Sequence, residues 1–549
     1  MKENLFLNGN HRWNEEKSKK YHFYYTGFGF LKKEDEYISF KLLAKNIHSK
    51  SSFKEIKNIL KNIDGHFSFV FIGKNKVIAC VDWVRSYPLF YYIKNKNITI
   101  SNNAKAIKKK FNLKGVNNLA AIDILAAGYA TGKRTLYSNI YQITAGKCLI
   151  KKNNSYELHA YEKYSPKSIF NKNKQKYKLL KHKFVESLDK VFFKLTSKNK
   201  NRNIFLPLSA GYDSRLILSC LLRHGHKNIT CYSYGLKNNT DMTIAKAICE
   251  KLSIRFIQIN TSPKIIRKFS KSNFYKNYIN YSDNYCSVPF IQDLPAIYRY
   301  QQDHNLPDDT LFINGNTGDF ISGGHAPGEL INKKKVSANL IRDIFIKKHF
   351  GLWDKFLYPP FKQTINERIL ELINNIQEQK EYISSAAIYE ILEWEERQSK
   401  FVISGQRVYE YVEKDWRLPL WEKPVKDFFE NLDYKYKLNQ NFYKKVLLDL
   451  NWQQIWKDFP LNKKEIFPIW MRPLRYILKA FFLPVGKEKW HNFEKKYINY
   501  WTAYISSEAL LPYFYPQKFV DNYRNAISLR ALDYLQRHKA LDLLINPKN

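Results

Sequence analysis

Between an apolar run at 204–208 and a helix-forming stretch at 215–224 lies Leu208-Ser209-Ala210-Gly211-Tyr212-Asp213-Ser214-Arg215. A turn from a buried strand into a helix aims backbone N–H groups and the helix's positive end at one spot, which makes an anion site. Ser209 and Ser214 add hydroxyl donors, and Gly211 lets the backbone come close to a phosphate. Asp213 sets a hard oxygen ligand where Mg2+ could bridge to phosphate oxygens. Arg215 could fork onto the same oxygens. The same residues would equally serve a plain strand-to-helix turn in which Asp and Ser only cap the helix. The octapeptide alone does not decide between the two. It is not a P-loop, since no GxxxxGK[ST] occurs.

The elements that must position this loop alternate. Strand-like 204–208 leads to helix 215–224, strand 229–234 to helix 240–252, and strand 255–259 follows. That order indicates βαβ units and a parallel sheet. Residues 1–160 read differently, as mostly β. The β-prone runs 66–71, 76–81 and 89–93 are divided by turn signals such as Gly73-Lys74-Asn75, with helical periodicity at 53–63 and 119–127. A lysine-rich stretch at 165–176 reads as a linker, and a helix at 177–195 follows. Beyond about residue 330 the chain reads as helical and rich in Trp, Tyr and charge.

Composition sets limits on the whole. A chain of 549 residues exceeds one ordinary core, so two or more domains are expected. Hydrophobic residues at 44% and aromatics at 16% argue against disorder. No run of about eighteen apolar residues suggests a membrane span. Met1-Lys2-Glu3-Asn4 lacks the features of a signal peptide. The six cysteines, at 80, 148, 220, 231, 249 and 286, form no CxxC pair and read as small buried hydrophobes in a reducing compartment. A cytoplasmic location is expected. The net charge of +41 fits a nucleic-acid or anionic-membrane surface. Yet the lysines are scattered, with short clusters such as Lys333-Lys334-Lys335, and Asn, Ile, Tyr and Phe are abundant alongside them. Compositional drift from A/T-rich coding is the favoured reading, and nucleic acid is not the expected partner.

The octapeptide resembles the pyrophosphate loop S-G-G-x-D-S of the ATP pyrophosphatase superfamily, with Ala210 in place of one glycine. Further matches, in order, resemble the asparagine synthetase family. Gly315-Asn316-Thr317-Gly318-Asp319-Phe320-Ile321-Ser322-Gly323-Gly324-His325 follows an apolar strand at 311–313 and is similar to G-E-G-x-D-E-x-F-G-G-Y. Gly315, Asp319, Gly323 and Gly324 match; Asn316 stands where the family has a catalytic Glu, and Phe320 replaces the second acid. Asp415-Trp416-Arg417-Leu418-Pro419-Leu420-Trp421-Glu422 resembles E-x-R-x-P-F-L-D, and Lys444-Lys445-Val446-Leu447 resembles K-x-[IV]-L. In the amino-terminal half, Asp64-Gly65-His66-Phe67-Ser68-Phe69, residues 82–91 and residues 135–146 resemble the family's class II glutamine amidotransferase domain and the entry to its synthetase domain. The likeness runs from about residue 60 to about 450.

The resemblance implies an α+β, Ntn-type, β-rich domain over 1–164, a linker and helix over 165–200, an α/β parallel-sheet ATP pyrophosphatase domain over 201–460, and a helical extension over 461–549. It implies ATP and Mg2+. A carboxylate would attack the α-phosphorus, and an amine would then displace AMP. Ser209, Ala210, Gly211, Tyr212, Asp213, Ser214 and Arg215 would hold the pyrophosphate, with adenine near 229–234 and Gly235. Asp213 and Asp319 would hold the metal, Gly315, Asn316, Gly323 and Gly324 would form the substrate loop, and Lys444, with Lys445 as alternative, would steady the adenylating phosphate. The partners implied are a small-molecule carboxylate and ammonia or an amine; a homodimer is left open. The carboxylate could be aspartate, a uronic acid of a surface polysaccharide, or one that closes on an internal amine as in β-lactam synthetases and lasso-peptide cyclases. An RNA-binding or RNA-modifying protein, or a non-catalytic ATP-binding one, is the reading of another class.

Two expectations concern what lies outside this site. Class II amidotransferases use an N-terminal cysteine as nucleophile. Lys2 at the second position, Cys80 within a β-prone run and the lack of an R-G-P-D clamp predict no glutaminase. Residues 467–482 interleave aromatic and aliphatic residues with Arg472, Arg475 and Lys479. Such a segment can lie in a membrane interface, giving peripheral membrane contact, although an ordinary core helix with a solvated edge is the preferred reading.

Overall fold

In the strand Ile63–Gly73 aromatic and aliphatic side chains alternate, and the strand is buried on both faces. Successive side chains point to opposite faces of a sheet. Phe67, Phe69 and Phe71 therefore share one face and pack with Leu43, Ile47, Ile56 and Leu60 of the helices Phe40–Ser49 and Phe53–Lys61. Val70 and Ile72 share the other, against Leu89, Tyr91, Ile98 and Ile100 of a second sheet. The amino-terminal half is thus four layers, helices on sheet on sheet on helix, since the helix Ala104–Phe111 covers the outer side of the second sheet, with Phe111 4.5 Å from Tyr92. The structure, a computed structural model, describes residues 5–7, 13–31, 40–49, 52–74, 76–95, 97–152, 155–167, 176–237, 239–330, 336–353, 358–378, 384–459, 470–494, 498 and 524–545.

The strands of this half are Leu5–Phe6 (β1), Asn14–Lys17 (β2), Tyr21–Leu31 (β3), Ile63–Gly73 (β4), Lys76–Val81 (β5), Phe90–Lys94 (β6), Asn97–Ser101 (β7), Ile140–Gln142 (β8), Lys147–Lys152 (β9) and Ser155–Ala160 (β10). An antiparallel six-stranded sheet runs β10-β9-β5-β4-β3-β2, and a four-stranded one β1-β7-β6-β8. The second half is built on five parallel strands, Ile204–Pro207 (β11), Ile229–Gly235 (β12), Arg255–Asn260 (β13), Leu311–Ile313 (β14) and Asp415–Arg417 (β15), in the order β13-β12-β11-β14-β15. This is the β-rich domain followed by a parallel α/β sheet that the sequence predicts, and the region beyond it is largely helical.

Three local differences have physical causes. β15 escapes the sequence because Asp-Trp-Arg has a charged residue at each end and no apolar run, unlike the equally short β14. The helix expected from 215 begins at Tyr212, because Gly211 is extended (φ −76°, ψ 176°) and Asp213 and Ser214 suit a first turn. The expected linker is partly anchored, since Ser165 N–H donates to the Glu430 carboxylate and Lys167 N–H to the Glu430 carbonyl. Residues 168–175, Met1–Asn4, Lys333–Lys335, 467–469 and most of 495–523 lie outside the described residues. Among the described residues no helix is long and apolar enough to cross a membrane.

One apolar core crosses from the first half to the second. Trp83, Val84 and Phe90 belong to the same buried cluster as Leu206, Trp394 and Trp421. Trp83 meets Trp421 at 4.9 Å between rings, and the Trp394 indole donates to the Trp83 carbonyl at 3.0 Å. Polar contacts pin the seam. Lys423 N–H donates to Asp64 at 3.0 Å, and Lys147 pairs with Glu395 at 2.6 Å.

His66 lies in this seam, its ring 5.5 Å from Phe28 and 5.4 Å from Trp416, and fully buried. Neither ring nitrogen has a hydrogen-bond partner among the described residues. Burial first, and the Arg417 charge second, push its pKa from 6.5 down to about 3. The folded state therefore binds this proton more weakly than the unfolded chain. The contribution is intact above about pH 6.5 and is lost as pH falls towards about 3, a loss on the order of 4 kcal/mol. Denaturant melts from pH 7 to pH 4 should show His66→Phe, which keeps a ring and cannot titrate, losing less stability than the parent. Equal slopes for the two proteins would refute this.

Candidate functional site

In the second sheet the chain passes from β11 to β12 and β13 on one side, then returns to β14 on the other side of β11. Open parallel sheets bind ligands at such a reversal, outside the carboxyl ends of the strands. The loops leaving β11 and β14 both end there. A cavity of about 630 Å³ lies over them, lined by Ser209, Asp213, Tyr234, Asn316 and Asp319 among others.

The first loop is tied to itself. Ser214 Oγ accepts from Ser209 N–H at 3.1 Å and lies 3.1 Å from Ser209 Oγ, which accepts from Gly211 N–H at 3.1 Å. Ala210 N–H donates to Asp241 at 3.0 Å, and Ala210 is not among the left-handed residues, so alanine carries no strain there. The second loop lies flush against Asp213. A Cβ on Gly315 would stand 2.7 Å from Asp213 Cβ, and one on Gly318 would stand 2.4 Å from Asp213 Cγ. Thr317, between the two glycines, is left-handed at φ 86°, a strained conformation for a β-branched residue that costs about 1–3 kcal/mol.

Burial and the nearby Asp319 charge raise Asp213 to about 7, against hydrogen bonds from Tyr443 OH at 2.8 Å and the Asp319 backbone. Asp319 opens into the cavity and contacts His325 Nε2 at 3.1 Å. His325 Nδ1 meets the buried Glu393 carboxylate. Burial would lower the His325 pKa, but Glu393 and Asp319 carry it to about 9. Burial would raise Glu393, but the imidazoles of His349 and His325 hold it well below the carboxylate range. The carboxylates on the two loops are thus backed by an imidazolium and a second buried carboxylate. Among the described residues no cluster of three or more His, Cys, Asp or Glu could hold a metal alone. Two carboxylates are what Mg2+ takes from protein when phosphate oxygens and water complete its shell, so the pair fits an ion arriving with a nucleotide.

The other predicted residues divide. Ser209, Gly211, Tyr212, Asp213, Ser214, Gly315, Asn316 and Asp319 line the cavity. Arg215 does not turn to it: its guanidinium is buried and donates to the carbonyls of Ala210, Ile455 and Phe459, so it secures the loop from beneath. Gly323 and Gly324 serve packing, since a Cβ on Gly323 would stand 2.2 Å from the Lys437 carbonyl. Phe320 points into the core, 5.9 Å from Trp421, so loss of an acid at that position removes nothing from the cavity. Gly235 ends β12 beyond the cavity-lining Tyr234. Lys444 Nζ donates to the Asn439 carbonyl and lies 5.8 Å from the centre of the Tyr212 ring, while Lys445 lies over Tyr177.

Sequence reasoning missed the far wall. After the helix Ser385–Glu393 the chain winds as a π-helix over Trp394–Val402, a rare form common at functional sites. It turns Arg397, Gln398 and Phe401 to the cavity. The carboxy-terminal helix Ala526–Arg537 adds Ile527 and Arg530. Asp293, on the same lining, accepts from Tyr234 and Tyr409 hydroxyls at 2.5 Å each. In the sequence these are single charged residues in helical stretches, and their spacing gives no signal.

The structure thus joins an antiparallel β-rich domain to a parallel sheet of the nucleotide-binding type, with a cleft at its reversal point. Residues 52–162 match the family described as glutamine amidotransferase domain. Over 296 residues the chain is 26% identical to the microcin J25-processing protein McjC of Escherichia coli, a stretch that is 50% of this chain and 50% of that protein. The chain thus spans about half the length of this curated relative. Among solved structures, the glutamine phosphoribosylpyrophosphate amidotransferase of B. subtilis, complexed with ADP and GMP, is 10% identical, with a TM-score of 0.19 over 55% of this chain and 56% of that one. A structure of the allosteric regulatory enzyme of purine biosynthesis is 11% identical, with a TM-score of 0.19 over 61% and 60%. At that score neither bears on the whole fold. The matched domain and the partial relative link the chain to the broad superfamily of amidotransferases and PP-loop ATP ligases, without singling out asparagine synthetases.

The glycines between the loops give a direct test. Gly318→Ala would force a methyl group into the Asp213 carboxylate, an overpacking cost of about 1–3 kcal/mol that the loops would meet by parting. A fluorescent ATP analogue with Mg2+ should bind this variant about tenfold more weakly, with the circular dichroism spectrum unchanged. Undiminished binding would mean that the two loops do not act together.

Proposed function

We propose that the chain is an asparagine synthetase-like ligase that adenylates a carboxylate, releasing pyrophosphate, and then forms an amide with release of AMP. The observation that carries this is the convergence of Asp213 and Asp319 on two glycine-backed loops at the reversal of a parallel sheet. Ser209, Gly211 and Ser214 would exchange their mutual hydrogen bonds for the departing pyrophosphate. Tyr232, Ser233 and Tyr234 would form the wall beside adenine. Mg2+, held by Asp213 and Asp319, would offset charge building on the phosphates. Lys444, the lysine beside the cavity-lining Tyr212, would add to that offset once released from Asn439. The carboxylate oxygen bonds to the α-phosphorus as the bond to pyrophosphate breaks. The amine nitrogen then bonds to the acyl carbon, AMP leaves, and the nitrogen gives up a proton. Arg397 and Arg530 stand on the facing wall, where a second anion would enter.

The acceptor is the open part of this reading. Asn316 lines the cavity where the resemblance puts a catalytic Glu, which weighs against aspartate as the substrate. The likeness to a protein named for processing microcin J25 supports an acceptor other than aspartate, of which a carboxylate that closes on an amine of the same molecule is one. Amidation of a uronic acid remains the alternative within the same chemistry. The product pair is the test. With a panel of carboxylates, the chain should convert Mg-ATP to AMP and pyrophosphate, and Asp213→Asn should slow this about a hundredfold or more. Release of ADP and orthophosphate would exclude adenylation.

The nitrogen would come from ammonia, a partner or the acceptor, not from glutamine hydrolysed by this chain. All six cysteines are buried, and Cys80 lies opposite Cys148 between β5 and β9 with its thiol raised well above its ordinary value, chiefly by burial. None offers an accessible thiolate. Purified protein given glutamine, with or without ATP and acceptor, should release no glutamate above background. Sustained release in any arm would overturn this.

A further inference from the structure

The helix Met471–Phe481 has two apolar faces. Its inner face packs: Met471, Leu478 and Phe482 meet Trp490, Phe493 and Ile498 in a small cluster separate from the main core. Leu474, Ile477 and Phe481 turn away from this cluster together, and Tyr476 stands on a separate side of the helix, with Tyr476 67% and Phe481 72% exposed. Trp470 before the helix, and Leu483 and Val485 in the turn after it, extend that face and are exposed too. At 100° per residue, positions 470, 474, 477 and 481 fall within one narrow sector. Single exposed apolar residues are ordinary; a contiguous face of aromatic and aliphatic side chains marks an interaction surface. The preference for an ordinary core helix therefore holds for the inner face only.

Charge selects what covers the outer face. Arg472 and Lys479 make the basic polar side of the helix, turned away from that sector, and Lys487 and Lys489 follow in the next helix, Lys487–Phe493. Of the two acids in 470–494, Glu494 is already bound by Arg475. A second copy would set this basic surface, on a chain of net charge +41, against its like. An anionic bilayer offers what both sets of side chains require. It has acyl chains for Leu474, Ile477 and Phe481, a headgroup zone for Trp470, and a negative surface that attracts the basic polar side of the helix and the lysines after it. We propose that this helix is an interfacial anchor that seats the protein on an anionic phospholipid surface without crossing it. The surface lies outside the cavity, so the proposal is independent of the chemistry assigned there.

The test uses the full chain with vesicles of phosphatidylcholine alone or mixed with phosphatidylglycerol, at low and high salt. The parent should sediment with the phosphatidylglycerol vesicles at low salt, less at high salt, and not with phosphatidylcholine alone. Tryptophan emission should shift to the blue on binding. The double variant Ile477→Asp/Phe481→Asp should lose about tenfold or more in partitioning, the least that removing two buried apolar side chains would cost. Lys479→Glu should weaken binding less. Both changes are on the surface, and circular dichroism checks that the fold is kept. Failure of the parent to sediment at low salt would overturn the proposal. So would equal binding by the double variant, which would assign attachment to general basic charge. Light scattering that shows a dimer lost in the double variant, without vesicle binding by the parent, would give the face to a second copy and likewise overturn it.

Discussion

Asp213 occupies a space that only glycine leaves open. Its carboxylate lies where a Cβ on Gly318 would stand, and its own Cβ is within 2.7 Å of where one on Gly315 would stand. That contact brings the ends of β11 and β14 together, and much of the second half follows from it. Closing the turn so tightly puts Thr317 into a left-handed conformation, sends Phe320 down into the core and leaves Asp319 facing the cavity. Two carboxylates that close repel, and the molecule answers with Tyr443 on one and His325 on the other. His325 is in turn held by Glu393, immediately before the π-helix that forms the far wall. Positions that look like separate motifs are one packing unit.

The amino-terminal half is explained by the same kind of constraint. It shares its apolar core with the parallel-sheet half, through Trp83 against Trp394 and Trp421 and through the His66 seam against Trp416. Removing it would expose the indoles of Trp394, Trp416 and Trp421 and leave the Lys423 amide without the Asp64 carboxylate. Exposed aromatic surface of that extent is costly in proportion to its area. A domain can therefore be retained for the surface it covers, whatever became of its own chemistry.

How much was legible in the sequence follows from how local each feature is. The strand-to-helix turn at 208–215, the βαβ alternation and the β-rich first half are local patterns, and each is found where the residues place it. Arg215 was misread because residue type and spacing say nothing about side-chain direction. On the first turns of a helix it can reach outward to a ligand or back beneath the loop, and the carbonyls of Ile455 and Phe459 took it. Arg397, Arg530 and Asp293 could not be found, because they meet only through tertiary packing of segments more than a hundred residues apart. Tyr443 was missed for a narrower reason. It sits next to the lysine that the motif picks out, and the helix turns its hydroxyl, rather than the lysine, to Asp213.

The charge of +41 acquires a meaning from this arrangement that its distribution along the chain does not give. Drift in composition can set how many lysines the protein carries, but burial decides where the two signs go. Asp213, Asp293 and Asp319 gather on the cavity lining, and Glu390, Glu393 and Glu396 are buried. The lysines left in excess are largely outside. A nucleotide triphosphate and a carboxylate are both anions, and a basic exterior raises their concentration near the molecule without choosing between them. On the proposed function, choice would fall to the cavity, where a carboxylate pair would take phosphates only with a divalent cation and the guanidinium wall would meet an anion without one. A cavity so divided can admit two negatively charged reactants side by side, which is the first physical requirement for joining them.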